Sequence, residues 1–189
     1  MVDLSNITPA IAALAGRRTD AQDADDLRFP LAESEHVFHK LLRRFRQERV
    51  LRLVCSAACG ADILALEAAY TLAIPATVVL PFAPHVFRKV SVTDRPGNWG
   101  ERFDRLVQAA RDRDDLVELG LDTGDGNAFT ATNHRIIQAA LASGNHRKLA
   151  FVVWEGLSRG EDDSTAEFLS TALSHGFEKR SVITKRRKQ

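Results

Sequence analysis

Residues 51–67, LRLVCSAACGADILALE, decide the fold. The run Leu51 to Ser56 is largely apolar and predicts a buried strand. The turn Ser56-Ala57-Ala58-Cys59-Gly60 holds only small residues, and a helix is expected from Asp62 to Ala73. Gly60 allows a backbone conformation that a Cβ would forbid. Small residues let another group approach the backbone closely. The helix start presents unpaired N–H groups and a positive dipole end, which suits a phosphate or another anion. The same residues also read as a tight packing turn with no ligand, and the sequence leaves both readings open.

Outward from this turn, strands and helices alternate. Strands are predicted at Ile11–Gly16, Ala76–Leu80, Leu116–Leu119, Leu149–Trp154 and Ser181–Thr184. Helices are predicted at Ala32–Glu48, Trp99–Asp112, from Asn127 or Thr130 to Ala142, and from Ser164 or Thr165 to His175. Val37, Leu41, Leu42 and Phe45 repeat at helical spacing, with Arg43, Arg44, Arg46 and Arg49 on a solvated face. Continuous apolar strands between amphipathic helices predict an α/β fold. Its sheet is doubly wound, mainly parallel and Rossmann-like, with helices on both faces. Ligands of such sheets bind beyond the carboxyl ends of the strands. The residues after each strand are therefore the candidates: Gly16, Arg17 and Arg18; Ser56 to Asp62; Pro81 and Phe82; Gly120 to Gly126; and Glu155 to Thr165.

Composition narrows the class. The chain has 189 residues, 44% hydrophobic and 27% charged, with a net charge of +1. It is expected to form one domain over 1–185, followed by a basic tail at 186–189. Near-neutral charge gives no global attraction to nucleic acid or membrane. No apolar run has the length of a membrane span, and the N-terminus lacks the basic start of a signal peptide, so a cytoplasmic protein is expected. The two cysteines, Cys55 and Cys59, have C-x3-C spacing and read as small buried thiols. The histidines form no ligand cluster, and the loop Asp122 to Asn127 matches no calcium pattern, so no metal is expected. Phe82 to Arg105 is too long for a simple connection between a strand and a helix. Its Phe87, Arg88, Lys89, Ser91, Trp99 and Arg102 offer stacking and phosphate pairing, or a satellite core with solvated arginines.

Ser56-Ala57-Ala58-Cys59-Gly60-Ala61-Asp62, Glu67-Ala68-Ala69, and Ile74-Pro75 leading to Val78-Val79-Leu80-Pro81 resemble the SLOG superfamily. The LPF strand end and the WEG…STAEF segment add to the likeness. That superfamily unites DNA-processing proteins, Lonely-Guy phosphoribohydrolases and nucleotide-sensing domains of bacterial signalling and defence. The resemblance implies binding of a nucleotide or nucleotide-derived ligand with no cofactor required. It places the ligand on Gly16, Arg17, Ser56, Ala57, Ala58, Gly60, Asp62, Pro81, Phe82, Ser91, Trp99, Arg102, Ser164 and Thr165. An effector protein and a second copy of the chain are the further partners it suggests, with no membrane partner and nucleic acid disfavoured.

Catalysis is where the pattern departs. Lonely-Guy enzymes carry Pro-Gly-Gly-x-Gly-Thr-x-x-Glu after the matching strand. Here the glycine pair is missing, and Glu167 follows Thr165 by two residues, not three. Arg135 and Glu167 are the only catalytic candidates, and a non-catalytic sensor is the expected reading. A phosphoribohydrolase of the Lonely-Guy kind and a single-stranded DNA-binding protein are the alternatives.

Overall fold

The computed structural model describes residues 7–160 and 163–185. Glu161, Asp162 and the tail at 186–189 lie outside them. Six strands form one sheet: β1 Ala10–Gly16, β2 Val50–Cys55, β3 Ala76–Leu80, β4 Leu116–Glu118, β5 Arg147–Trp154 and β6 Glu178–Ile183. The order is β4-β3-β2-β1-β5-β6, and every neighbouring pair is parallel. The helices are α1 Ser34–Gln47, α2 Ala61–Thr71, α3 Pro84–Ser91, α4 Trp99–Arg111, α5 Ala128–Ala142 and α6 Ser164–Ser174. A short 3-10 turn, Leu31–Glu33, precedes α1.

The period-two pattern of the strands divides the core into two layers. Ala10, Ala12 and Leu14 of β1, Leu53 and Cys55 of β2, and Leu149, Phe151 and Val153 of β5 face one layer. There they meet Val37, Leu41 and Phe45 of α1, Ile63 and Leu64 of α2, and Phe103 of α4. Ile11, Ala13, Val54, Ala150, Val152 and Trp154 face the other layer, against Ile136 and Ile137 of α5 and Phe168 and Leu169 of α6. Strands covered on both sides lack a polar face, which is why β5 ends in the unbroken run Leu149–Trp154. Helix α2 is buried on nearly every side, which accounts for its run of alanine, leucine and isoleucine.

Two expectations are corrected. Strand β6 begins at Glu178, three residues before the expected Ser181, and β5 begins at Arg147. Their first residues are charged because they meet at the amino edge of the sheet. There Arg147 pairs with Glu178 and Glu48, and Arg180 pairs with both carboxylates as well. The Phe82–Arg105 segment is not one long loop. Pro84 starts α3, where its fixed φ suits a first helical turn. Phe87 packs against Phe103 with ring centroids 6.0 Å apart.

No described helix is long and apolar enough to cross a membrane.

Candidate ligand-binding site

A cleft of about 440 Å³ opens at the carboxyl edge of the sheet. Its floor comes from the ends of β1 and β2 and the start of α2. One wall is Phe82 with α3, and the other is the beginnings of α5 and α6. This is the edge at which a parallel sheet gathers the residues following its strands. The strand order reverses between β1 and β5, whose ends both reach this edge.

The floor depends on two close approaches. At Gly16, a Cβ would lie 2.4 Å from the Ala61 side chain and 2.7 Å from the Val153 carbonyl. Only glycine lets the start of α2 dock against the end of β1 here. Gly60 has φ +91°, and a Cβ there would lie 2.7 Å from the Thr19 backbone nitrogen and 2.9 Å from the Arg17 carbonyl. The space left open by Gly60 is thus filled by the chain after β1.

Three N–H groups of this turn are committed to the protein. The Ala58 N–H donates to the Asp62 carboxylate (3.2 Å), Cys59 to the Ser91 carbonyl (3.0 Å) and Ala61 to the Arg17 carbonyl (3.1 Å). Helix α6 is likewise capped from within, with Asp163 accepting from the N–H groups of Thr165 (3.0 Å) and Ala166 (3.2 Å). Protein groups thus take the N–H of Ala61 at the start of α2 and those of Thr165 and Ala166 at the start of α6.

Arg17 explains much of this arrangement. Its guanidinium is buried and grips Asp163 at 2.5 and 2.7 Å, Glu155 at 2.8 Å, and the Leu157 carbonyl at 2.9 Å. Burial would lower its pKa, but the hydrogen bonds it donates to Asp163 and Glu155 outweigh that and raise it. Burial would raise the Asp163 carboxyl, yet the Arg17 bonds and the N–H groups of Arg159 and Ala166 hold it well below the usual carboxylate range. Arg17 thus ties β1 to the start of α6.

The rim carries the less neutralised charge. Arg18 and Arg95 share a single carboxylate, Asp94, at 2.6 and 2.9 Å, and all three groups are partly exposed. Arg28, about one-third exposed, pairs with Glu155 and Asp26. Arg159 makes no ion pair among the described residues. The cleft also holds an aromatic pair. Phe82 is buried, while Phe129 at the start of α5 is 46% exposed, their rings edge to face at 6.0 Å.

Asp62 lies on the floor, buried. Burial pushes its carboxyl up to about 7, against the single hydrogen bond from Ala58. Thr19 is also buried on the floor. Burial pushes the Cys59 thiol beneath it up to about 11.

The expected site residues divide into two groups. Gly16, Arg17, Ser56, Ala58, Asp62, Phe82, Ser91, Ser164 and Thr165 line the cleft together. Ala57, Gly60, Pro81, Trp99 and Arg102 do not. Ala57 is wholly buried in the core, and the Pro81 carbonyl accepts the Leu121 N–H. Trp99 is buried and donates to the Pro96 carbonyl. Arg102 stacks 4.2 Å from the Trp99 ring centroid and pairs with Glu67, away from the cleft. Glu167 accepts from Asn133, His134 and Thr171, and neither it nor Arg135 lines the cleft.

Sequence reasoning missed Thr19, Arg28, Arg95, Phe129 and Thr132 as lining residues. Phe129 could have been found as an aromatic residue opening a helix after a strand end. Arg28 and Arg95 lie on irregular segments and carry no such signal.

No family model matches the chain, and no curated protein matches it. Among solved structures, it is similar to DNA processing protein A from Helicobacter pylori, described for its single-stranded DNA binding mode. The likeness has a TM-score of 0.45 and 15% sequence identity, covering 91% of this chain and 75% of that one. The fold described above rests on the strands and helices themselves.

Proposed function

We propose that the protein is a SLOG-type sensor that binds a nucleotide or nucleotide-derived ligand in this cleft and performs no chemistry on it. One observation carries the reading. An exposed aromatic ring, Phe129, shares a cleft with two arginines, Arg18 and Arg95, that have only one carboxylate between them. A base has a face to stack on, and a phosphate has cations still in need of charge. The volume falls in the range of small-molecule sites, which favours a free nucleotide over a polymer. The phosphate is assigned to the arginine rim, where two guanidinium groups share one carboxylate. No cofactor is required for such binding.

A thermal-shift screen across mononucleotides, cyclic dinucleotides and dinucleotide cofactors tests the reading. A ligand that binds only the native state raises the melting temperature with concentration. The reading expects such a rise for at least one nucleotide. A flat response across the panel, with a salt-dependent shift on a single-stranded oligonucleotide, would favour the DNA-binding alternative.

A further inference from the structure

Asp62 differs from every other acidic group of the cleft. Asp20 accepts the Arg28 and Phe29 backbone N–H groups with both its oxygens. Asp94, Glu155 and Asp163, just behind the lining, each face two arginines or an arginine and several N–H groups. Among the described residues, Asp62 has a single hydrogen-bond partner, the Ala58 N–H on Oδ2, and no ion-pair partner. Its Oδ1 has no partner among the described residues. Nor is that oxygen sealed inside, since the fully buried, unpartnered side-chain oxygens are those of Thr19 and Ser34. Asp62 itself lines the cleft.

We propose that Asp62 is a ligand-contacting residue that engages an anionic nucleotide as the neutral acid, donating a hydrogen bond from Oδ1, so that binding takes up a proton. The inference rests on the nucleotide reading of the cleft.

The physical reason is the cost of an unpaired buried charge. A carboxylate with one hydrogen bond and no counter-ion is poorly solvated, and it protonates instead. A bound anion expels water and adds negative charge, so it favours the neutral acid further. The neutral acid also has a proton to donate to a phosphate or carbonyl oxygen, which a carboxylate lacks.

The charged and titratable groups around Asp62 come from several elements. From β2, Cys55 faces it as a buried thiol pushed well above its usual range by burial and by Asp62 itself. From β1 and the segment after it come Arg17, bound to Asp163 and Glu155, Arg18, bound to Asp94, and Asp20. Arg28, Arg95 and Arg159 complete the charged lining, and arginine does not deprotonate in this range. The lining residues from α3 and α5 are uncharged, and no histidine is among them.

The test follows binding of NAD+ and cyclic AMP from about pH 5.5 to 9, a window in which phosphodiester charges stay constant and a near-neutral carboxyl titrates. Calorimetric titration of the wild type should give a Kd that is flat at low pH. Above about pH 7.5 it should rise roughly tenfold per pH unit. Asp62→Asn, which keeps an acceptor for Ala58, should bind with a Kd that does not change with pH. In parallel, carbon-13 NMR of the unliganded wild type should show the Asp62 carboxyl titrating near neutrality. A carboxyl that titrates in the ordinary aspartate range overturns the inference and leaves the nucleotide reading standing. So does nucleotide binding by the wild type that is independent of pH. Absence of binding by both probes at every pH, with the carboxyl near neutrality, overturns the inference, while the nucleotide reading is decided by the wider thermal-shift panel.

Discussion

Gly60 shows how one residue can be legible in kind and misread in role. The sequence marks it as a backbone position that needs freedom, and its φ of +91° agrees. The close approach it permits, however, is that of the Arg17–Thr19 backbone and not of a ligand. A Cβ must move main-chain atoms, so Gly60→Val is expected to destabilise the fold, not to remove binding from an intact protein. Gly60→Ala should cost several kcal/mol, about the level of strained or overpacked sites. A shift of the urea midpoint to lower concentration, with an unchanged slope, checks this. Asp62 gives a second test at this scale. Its folded-state pKa, about 7, lies above the ordinary aspartate value. The unfolded chain therefore ionises first as pH rises, and stability is lost from about pH 4 up to about pH 7, after which the loss is complete. Asp62→Asn has no such loss. Its melting temperature relative to the wild type should climb across that window and level off above it, and differential scanning calorimetry at a series of pH values reads this directly.

Among the elements, those with continuous apolar runs or clean helical stripes were readable. Strand β3 has the expected bounds, and β5 and α1 are centred as expected. Elements whose sequence answers to charge at an edge were not. The first half of β6, Glu178 to Arg180, reads as polar loop because its side chains serve an ion network at the sheet's amino edge. Helix α3 was hidden because it is only eight residues long and follows a strand end directly. The start of α6 illustrates a different limit. Nothing in the sequence tied Asp163 to Arg17, 146 residues away. That pairing carries a prediction. Asp163→Ala removes a helix cap and strands a buried guanidinium, and should cost about 3–5 kcal/mol in a denaturant melt. Asp163→Asn should keep part of the cap and lose the ion pair. Because the Asp163 carboxyl is held below its unfolded value, the wild type's advantage is full above about pH 5 and shrinks as the solution is acidified below about pH 4. Glu167, held by Asn133, His134 and Thr171, is turned away from the cleft. Incubation with adenosine monophosphate is expected to release no adenine, by chromatography, at ordinary enzyme rates.

At the scale of the whole molecule, the parallel sheet does most of the positioning. It brings nine of the fourteen expected ligand residues to one cleft from five separate stretches of chain, because most lie at a strand end of the same sheet or open the helix beyond it. That much followed from alternation of apolar strands with helices. The two residues from the segment after β3, Trp99 and Arg102, were misplaced because their stacking on each other and pairing with Glu67 are tertiary facts. Arg102→Ala should accordingly lower stability slightly and leave ligand affinity unchanged. The rim arginines Arg28 and Arg95 were illegible for the converse reason, since they reach the cleft from irregular segments. The central claim is that a nucleotide binds in the cleft that Phe129 shares with Arg18 and Arg95. Phe129 is 46% exposed, so its truncation leaves the core intact. The most direct measurement is isothermal titration of the strongest nucleotide hit into the wild type and Phe129→Ala side by side. Loss of a stacking face should weaken binding by roughly tenfold or more, with both proteins melting at nearly the same temperature. Equal affinities would place the ligand elsewhere and contradict the account.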